Sequence, residues 1–159
     1  MKVLLFFFLA TLSLMAECSF KTAVFIAKED EVVDKKSGLI WRRCSLGQEW
    51  HKGKGCVGEI ELIKRKDAEE RANTLGKGWR IPSIDELLTL VDKRCQTPVI
   101  NVALFGKLYD TGEGANYLSS SIHLEGDEVL PTLFYTINFI DGSVDAHTKE
   151  YRGAVRLVR

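Results

Sequence analysis

A glycine-rich loop over residues 44–58 carries side chains that suit ligand binding. Trp50 lies in the middle of this loop, where its indole could stack on a sugar ring. The cations of Lys52, Lys54 and, further along the chain, Arg65 could contact anionic groups of the same ligand. We therefore predict these four residues as a candidate site for an anionic glycan, with an ordinary solvated surface as the alternative.

Basic residues are concentrated in the first half of the chain and are interspersed with acidic ones. The cluster is therefore either a patch for an anionic partner or a solvated face. Its members are Lys35, Lys36, Arg42, Arg43, Lys52, Lys54, Lys64, Arg65 and Lys66. Over the whole chain 22 basic residues balance 22 acidic ones. A nucleic-acid partner would call for a basic excess, so we predict none.

A serine run near a histidine is the strongest candidate for catalysis. Ser119, Ser120 and Ser121 precede His123, but no Gly-x-Ser-x-Gly elbow surrounds them. Cysteines held in disulfides cannot act as nucleophiles. We therefore expect no catalytic residues and no enzyme activity.

Metal-binding patterns are weak. No Cys-x-x-Cys pair occurs, and the three histidines are scattered at His51, His123 and His147, which disfavours a zinc site. The segment 110–128 is acidic and lacks lysine and arginine, so it could hold a cation, although a solvated loop is the favoured interpretation. We expect no metal and no cofactor.

Four cysteines predict two disulfides in an exported chain. Three pairings are open. Cys44 with Cys56 would close the short glycine-rich loop, and this choice leaves Cys18 with Cys95. Such bridges are worth roughly 3 and 4.5 kcal/mol in the chain-entropy description.

The first 16 residues have the pattern of a secretory signal peptide. Lys2 precedes an apolar run from Val3 to Met15, and Ala16 is the best cleavage site. Residues 17–159 then form a single domain, periplasmic or secreted to the cell surface. No second apolar segment is long enough to span a bilayer.

A capping box opens the best-defined helix. Ser83 and Glu86 have the required spacing, and Pro82 stops a helix from running through from upstream. The apolar spacing of Ile84, Leu87, Leu88 and Val91 predicts a helix of about ten residues, closed by Lys93 and Arg94. Trp79 and Arg80 lie in the approach to it.

The other elements surround this helix. A first helix should begin at Asp67, paired with Glu70, bury Ala68, Ala72 and Leu75 on one face, and end at Gly76. Strands are predicted at 22–27, 60–63, 115–122, 133–139 and 153–159, with hairpins around 34–38 and 141–142. Strands at both ends and two helices between them indicate an α+β domain.

Several motifs, taken in order, resemble one protein family. They are residues 37–41, 43–48 with Trp50 and Cys56, 78–82 with Glu86 and Leu87, Cys95 with Pro98 and 100–101, 119–121, Phe139 with Gly142, and 155–159. This arrangement is similar to the Lcl C-terminal domain family, named for the Legionella collagen-like adhesin and long catalogued as a domain of unknown function. The resemblance covers 32–159. One departure is Tyr117-Leu118 before the serines, where family members usually carry an aromatic residue, often Trp.

The resemblance implies an exported bacterial domain with a C-type-lectin-like fold, in which terminal strands pair and two helices flank a small sheet. The named member binds sulfated glycosaminoglycans and self-associates. Calcium-dependent lectin motifs are absent, which disfavours a calcium-dependent sugar site. The resemblance supplies no catalytic residues. We expect its structural signature to be Trp41, Trp79, Arg80, Pro82, Glu86 and Arg156, with the two tryptophans in the core.

The arginines Arg80, Arg156 and Arg159 lie beside apolar positions. They either bind an anion or tie strands to carboxylates such as Asp85 or Glu86. Taken together, the sequence favours an envelope or secreted binding module for a glycan or another surface component, without catalysis. The alternatives are a structural subunit of a pilus or adhesin complex, which would form homo-oligomers or bind envelope proteins, and a cell-envelope enzyme.

Overall fold

The computed structural model describes residues 24–95, 97–125 and 128–159. The predicted signal peptide and Cys18 lie outside these residues. Within them the chain forms four small antiparallel sheets and three short helices. The expected α+β, C-type-lectin-like arrangement with two helices is therefore wrong: most of the regular structure is β. Turns cut the second predicted helix short, and the segment 44–58, expected as a loop, contains a hairpin.

The first sheet has the order β1 (Phe25–Lys28), β2 (Glu31–Asp34) and β3 (Ile40–Arg42). The predicted hairpin between β2 and β3 is confirmed. The buried carboxylate of Asp34 shapes its turn by accepting from the Lys36 N–H at 2.8 Å and the Ser37 hydroxyl at 2.7 Å. Residues 28–31 form the tight turn into β2, with Glu29 at a φ of 50°.

The predicted loop over 44–58 contains a short hairpin. β4 (Glu49–His51) pairs with β5 (Gly55–Val57), and Trp50 lies opposite Cys56. The predicted disulfide between Cys44 and Cys56 is confirmed, with an S–S distance of 2.09 Å. The part of the chain that the structure describes has no free cysteine. Cys95 is disulfide-bonded too, and its predicted pairing with Cys18 stays a prediction because Cys18 is not among the described residues.

The first helix, α1 (Arg65–Leu75), begins two residues before the predicted start. Its N-cap is Lys64, whose side chain makes no capping hydrogen bond, so the expected Asp67–Glu70 capping pair is wrong. The strand β6 (Ile63–Lys64) leads directly into the helix and fixes its start. Ala68 and Ala72 are buried as predicted, but Leu75 is 43% exposed.

The predicted capping box is confirmed at α2 (Ile84–Leu88): the Ser83 hydroxyl accepts from the Glu86 N–H at 3.1 Å, and the Ser83 N–H donates to the Glu86 carboxylate at 2.8 Å. The helix has five residues instead of about ten. Beyond it the chain continues in tight turns, in which the Thr89 N–H donates to the Glu86 carbonyl. Leu88 is consequently exposed, Leu90 is buried, and Lys93 and Arg94 lie past the helix end.

A third helix, α3 (Val102–Phe105), was not predicted. The Asn101 side chain caps it by accepting from the Ala103 N–H at 3.1 Å and the Leu104 N–H at 3.2 Å. At four residues the helix is too short to show an apolar period, so only the cap could have indicated it.

The longest strands form a meander of β7 (Asn116–Glu125), β8 (Glu128–Asn138) and β9 (Val144–Thr148). The strands predicted at 115–122 and 133–139 and the hairpin at 141–142 are confirmed, and the first two strands run further than predicted. The β8–β9 turn is held by the Asp141 carboxylate, which accepts from the Ser143 N–H at 2.9 Å.

The C-terminal segment pairs piecewise instead of as the predicted continuous strand 153–159. β10 (Arg152–Gly153) pairs with β6, and Val158 then bridges both Trp41 and Arg80. The Ile40 N–H and the Arg80 N–H donate to the Arg159 and Val158 carbonyls, each at 2.9 Å. The segment thus joins β3 to the approach of α2.

Two apolar clusters make up the core. One contains Trp41, Leu87, Tyr117 and Phe139, and the other contains Trp79. Trp41 is fully buried and Trp79 is 5% exposed, so the prediction that both pack in the core is confirmed. Among the described residues, no helix has the length and apolarity needed to cross a membrane.

Candidate functional site

An open cleft lies between the β1–β2 turn and the β4–β5 hairpin. Its volume is about 680 Å³. The residues that line it are Glu29, Asp30, Arg42, Arg43, Glu49, Trp50 and Lys52. We call it the Trp50 cleft. It contains three carboxylates, three cations and one indole, which is a set suited to binding a polar ligand with an apolar face.

The Arg43 side chain stacks on the aromatic residue of the cleft. Its guanidinium lies 3.6 Å from the centroid of the Trp50 ring. The same group donates to three backbone carbonyls: those of Leu104 at 2.9 Å, Glu29 at 3.1 Å and Ala103 at 3.3 Å. Partial burial lowers the pKa of Arg43 from its ordinary value. Arg43 thus joins the C-terminal end of α3 to the wall of the cleft and fixes the Trp50 indole.

Arg42 has a carboxylate partner, whereas Arg43 forms no salt bridge with any residue that the structure describes. Its guanidinium forms a salt bridge with Asp30 and lies 5.4 Å from the centroid of the Trp79 ring. The Asp30 carbonyl also accepts from the Arg43 N–H at 2.9 Å. The β1–β2 turn is therefore tied to the two arginines by both side chain and backbone.

Arg156 lies beneath the cleft and is fully buried. Its guanidinium donates to the carbonyls of Arg42 at 3.1 Å, Phe105 at 2.8 Å and Arg43, and to the Ser45 hydroxyl at 3.3 Å. Burial lowers the pKa of Arg156 from its ordinary value, while Tyr117 acts in the opposite direction. We call this arrangement the Arg156 cage. It holds the backbone from which Arg42 and Arg43 project.

The three arginines flagged in the sequence have different partners. Arg80 forms two hydrogen bonds to the Glu86 carboxylate, at 2.6 and 2.7 Å, and Arg159 contacts the Glu31 carboxylate at 2.9 Å. The acceptors of Arg156 are carbonyls and a hydroxyl. Pro82, two positions after Arg80, is buried, and its carbonyl accepts from the Ser120 N–H at 2.8 Å.

The structure places two of the four predicted ligand-binding residues in the Trp50 cleft and two outside it. Trp50 and Lys52 line the cleft. Lys54 is exposed in the turn of the same hairpin, where its N–H donates to the His51 carbonyl at 3.0 Å. Arg65 starts α1, where it pairs with Glu69 at 3.0 Å and lies 5.7 Å from the Phe134 ring centroid.

The wider basic cluster does not form one patch either. Lys36 lines a separate cavity of about 350 Å³ near the β2–β3 turn, together with Phe25, Leu90 and Asn101. Lys64 pairs with Glu150 at 2.5 Å and lines neither cavity. This scatter removes the main support for a basic surface that tracks a polyanion.

A second cleft, of about 290 Å³, adjoins the first. We call it the Arg71 cleft. Its lining residues are Arg42, Cys44, Ser45, Leu46, Gly47, Gln48, Glu49, Arg71, Leu75 and Leu157. Arg42 and Glu49 therefore border both clefts. The Gln48 amide nitrogen donates to the Gly58 carbonyl at 3.2 Å, and its buried oxygen has no hydrogen-bond partner among the described residues.

The serines and the histidine considered for catalysis have structural contacts. The Ser119 hydroxyl donates to the Tyr135 carbonyl at 2.7 Å, and the Ser121 hydroxyl accepts from the Ile84 N–H at 3.0 Å. The His123 ring contacts the Tyr135 ring, with centroids 5.0 Å apart. These contacts join β7 to β8 and to the start of α2.

The described residues contain no group of three or more His, Cys, Asp or Glu side chains placed to bind a metal ion. In the acidic segment 110–128, the Asp110 carboxylate accepts from the Gly112 N–H at 2.8 Å and the Gly114 N–H at 3.1 Å. Residues 126 and 127 of that segment are not described. Asp110 therefore shapes a turn.

The sequence-based site omitted Arg43, Asp30 and Glu49. Arg43 was assigned only to the general basic cluster, because its contact with α3 spans 61 positions of the chain. A usable signal was present: Arg43 precedes Cys44, and a Cys44–Cys56 bridge necessarily brings the hairpin with Trp50 back towards it.

Comparison with protein families places the chain beside a known domain. The family model described as Lcl C-terminal domain matches residues 30–159, which include the cleft residues from Asp30 to Lys52. A search of curated proteins finds no match to this chain.

Proposed function

The chain belongs to the Lcl C-terminal domain family, and from that premise we propose that it is an exported, adhesin-related module that binds a glycan in the Trp50 cleft without chemical change. The disulfide between Cys44 and Cys56 fits an extracellular or periplasmic protein. The observation that carries the proposal is the combination, in one open cleft, of an indole with a stacked guanidinium and flanking carboxylates.

This combination suits the two surfaces of a sugar. A pyranose ring has apolar C–H faces that pack on an indole, and hydroxyls that each donate and accept hydrogen bonds. Asp30 and Glu49 supply acceptors, and Arg42 and Lys52 supply donors, around Trp50. The cleft is also within the usual size range of small-ligand sites, about 300–1,000 Å³.

A glycan array tests the proposal. The purified protein should bind a subset of glycans, and Trp50→Ala should weaken that binding at least about tenfold, or about 1.4 kcal/mol. Tyr109→Ala is the matched control, because Tyr109 is 49% exposed and lies outside the cleft. Thermal melts of both variants check the fold. Binding to no glycan, or equal binding by Trp50→Ala and the wild type, would contradict the proposal.

The absence of catalysis is part of the proposal and needs its own test. The side chains of Ser119 and Ser121 are engaged in hydrogen bonds between elements, which supports a structural role. A bound glycan incubated with the protein should be recovered with unchanged mass. A cleaved or modified product would instead assign an enzyme.

A second candidate function is that of a structural subunit in a surface assembly. Ile122 is 40% exposed and Leu124 is 54% exposed on β7, and both could pack against another subunit or an envelope protein. Light scattering during size-exclusion chromatography tests self-association. A monomer at all concentrations, together with no envelope protein captured, argues against this function.

A further inference from the structure

We infer that the ligand of this site is an uncharged, linear oligosaccharide that extends from the Trp50 cleft into the Arg71 cleft. The inference rests on the proposed glycan binding and specifies which glycan the site takes. It has three supports: the balance of charge on the walls, an acceptor without a donor in the Arg71 cleft, and the residues that the two clefts share.

The charge balance argues against a polyanion. Glu29, Asp30 and Glu49 face the same space as Arg42, Arg43 and Lys52, so the formal charge of the lining is zero. Arg42 is already paired with Asp30. A sulfated chain would meet three carboxylates and gain little from a paired guanidinium, because like charges in one cleft repel.

Alternating charges suit hydroxyl groups instead. A hydroxyl donates one hydrogen bond and accepts others, so it can lie between a carboxylate and a guanidinium and satisfy both. The Arg42–Asp30 pair offers such a position in the Trp50 cleft. Across the shared wall, Arg71 pairs with Glu61 at 3.2 Å, which offers a second position.

The Arg71 cleft also has an acceptor without a donor. The buried Gln48 oxygen has no partner in the described part of the chain, and an unsatisfied buried polar atom costs about 1–3 kcal/mol. Gln48 lines this cleft, and its oxygen, which is closed to solvent as the amide stands, would accept from a ligand hydroxyl after a rotation of the side-chain amide. A sulfate or carboxylate has no proton to donate to it.

The length of the ligand follows from the shared wall. Because Arg42 and Glu49 border both clefts, a chain of sugars can cross them and occupy about 680 Å³ on one side and about 290 Å³ on the other. A single sugar in the Trp50 cleft would make no contact with Arg71 or Gln48, which line only the Arg71 cleft. Affinity should therefore rise with the number of sugars until both clefts are filled.

The experiment measures affinity for two series of defined probes. One consists of neutral oligosaccharides, from disaccharides to octasaccharides, of the linkage selected on an array; the other consists of sulfated oligosaccharides of the same lengths. Each is titrated at about 0.1 M and about 1 M salt, where the screening length falls from about 10 Å to about 3 Å. We expect the affinity for the neutral series to change little between the two salt concentrations. We expect its longer members to bind at least about tenfold more tightly than the disaccharides.

Variants separate the two clefts. Arg71→Ala should weaken binding of the long neutral probes and leave that of the shortest unchanged, whereas Trp50→Ala should weaken both. Arg152→Ala is the matched control, because Arg152 is exposed and lines neither cleft. Thermal melts check that each variant folds.

The outcomes distinguish this inference from the proposed function. Salt-sensitive binding of sulfated probes alone would overturn the inference while glycan binding stands. If the affinity for neutral probes did not depend on their length, the extended site would be overturned. The same would follow if Arg71→Ala bound the long probes with full affinity. Binding to neither series, with none on the array, would overturn both the inference and the proposed function.

Discussion

Arg80 and Arg156 each form several hydrogen bonds, yet they differ in burial and in where their acceptors come from. Arg80 is half exposed and meets the Glu86 carboxylate, six positions away, in the segment that starts α2. Arg156 is fully buried, and its acceptors come from positions 42, 43, 45 and 105. The first contact is made within one short segment, and the second joins three distant parts of the chain.

The difference shows where this fold is vulnerable. A surface ion pair is screened by water and contributes about 0–1 kcal/mol. A buried guanidinium contributes more to stability. Its removal leaves several buried carbonyls without a donor, and each of these acceptors then costs about 1–3 kcal/mol. The Arg156 cage also supports the Trp50 cleft, whereas the Arg80–Glu86 pair supports only the start of a five-residue helix.

Arg156→Met should produce the largest loss of stability. It keeps much of the side-chain volume but leaves the Arg42, Arg43 and Phe105 carbonyls without this donor. We expect the free energy of unfolding in urea to fall by about 3–5 kcal/mol. Arg80→Met is the matched variant and should cost less than about 1 kcal/mol. Equal losses in the two variants would remove the contrast between the regions.

Removal of the disulfide should cause the second-largest loss of stability. Cys44 and Cys56 are 12 positions apart, and the double variant Cys44→Ser/Cys56→Ser should lose about 3 kcal/mol because the unfolded chain is no longer constrained. The same variant should weaken glycan binding, since the bridge holds the hairpin that carries Trp50. Urea unfolding and the glycan titration measure the two effects. A variant that lost stability but bound normally would show that Arg43 alone positions the indole.

The comparison also explains what the sequence could predict. The capping box of Ser83 and Glu86 and the hairpin turn at Asp141 were predictable because their hydrogen bonds join residues no more than three positions apart. The Arg156 cage was not, because an arginine beside apolar residues suggests a carboxylate partner, whereas the fold supplies carbonyls from far along the chain. The predicted length of α2 was wrong for a related reason. Tertiary packing buries Leu90 and exposes Leu88, although the helical period placed Leu88 on the buried face.

In the candidate site too, some residues could be predicted from the sequence and others could not. Trp50 and Lys52 were found from residue type alone, and both line the cleft. Lys54 and Arg65 were grouped with them because they are cations, but Lys54 lies exposed in the turn of the hairpin and Arg65 belongs to α1. Asp30 enters the cleft through tertiary contacts that composition and spacing do not indicate, and the sequence signal for Arg43 is its position before Cys44.

Loss of the cap should have a moderate effect. Ser83→Ala removes the hydroxyl that accepts from the Glu86 N–H, and we expect a cost of about 1 kcal/mol in urea unfolding. Ser120→Ala is the control, because Ser120 is exposed and undergoes the same chemical change. A cost above that of Arg156→Met would reverse the ranking of local and long-range contacts.

Acid should reveal the smallest contribution, that of the Arg80–Glu86 pair. The hydrogen bonds from Arg80, and next the Ser83 backbone, hold the pKa of Glu86 below its ordinary value. A carboxyl whose pKa is lower in the folded state adds stability that is fully present above the unfolded pKa, about 4.3, and is lost as pH falls through the folded pKa. Between about pH 5 and pH 3 the wild type should therefore lose more stability than Glu86→Gln, by less than about 1 kcal/mol because the pair is partly exposed. Urea unfolding along this pH range measures the difference, and about 1 M salt should shrink it. Parallel curves for the two proteins would mean that the pair adds nothing to stability, and the contrast with the Arg156 cage would then be complete.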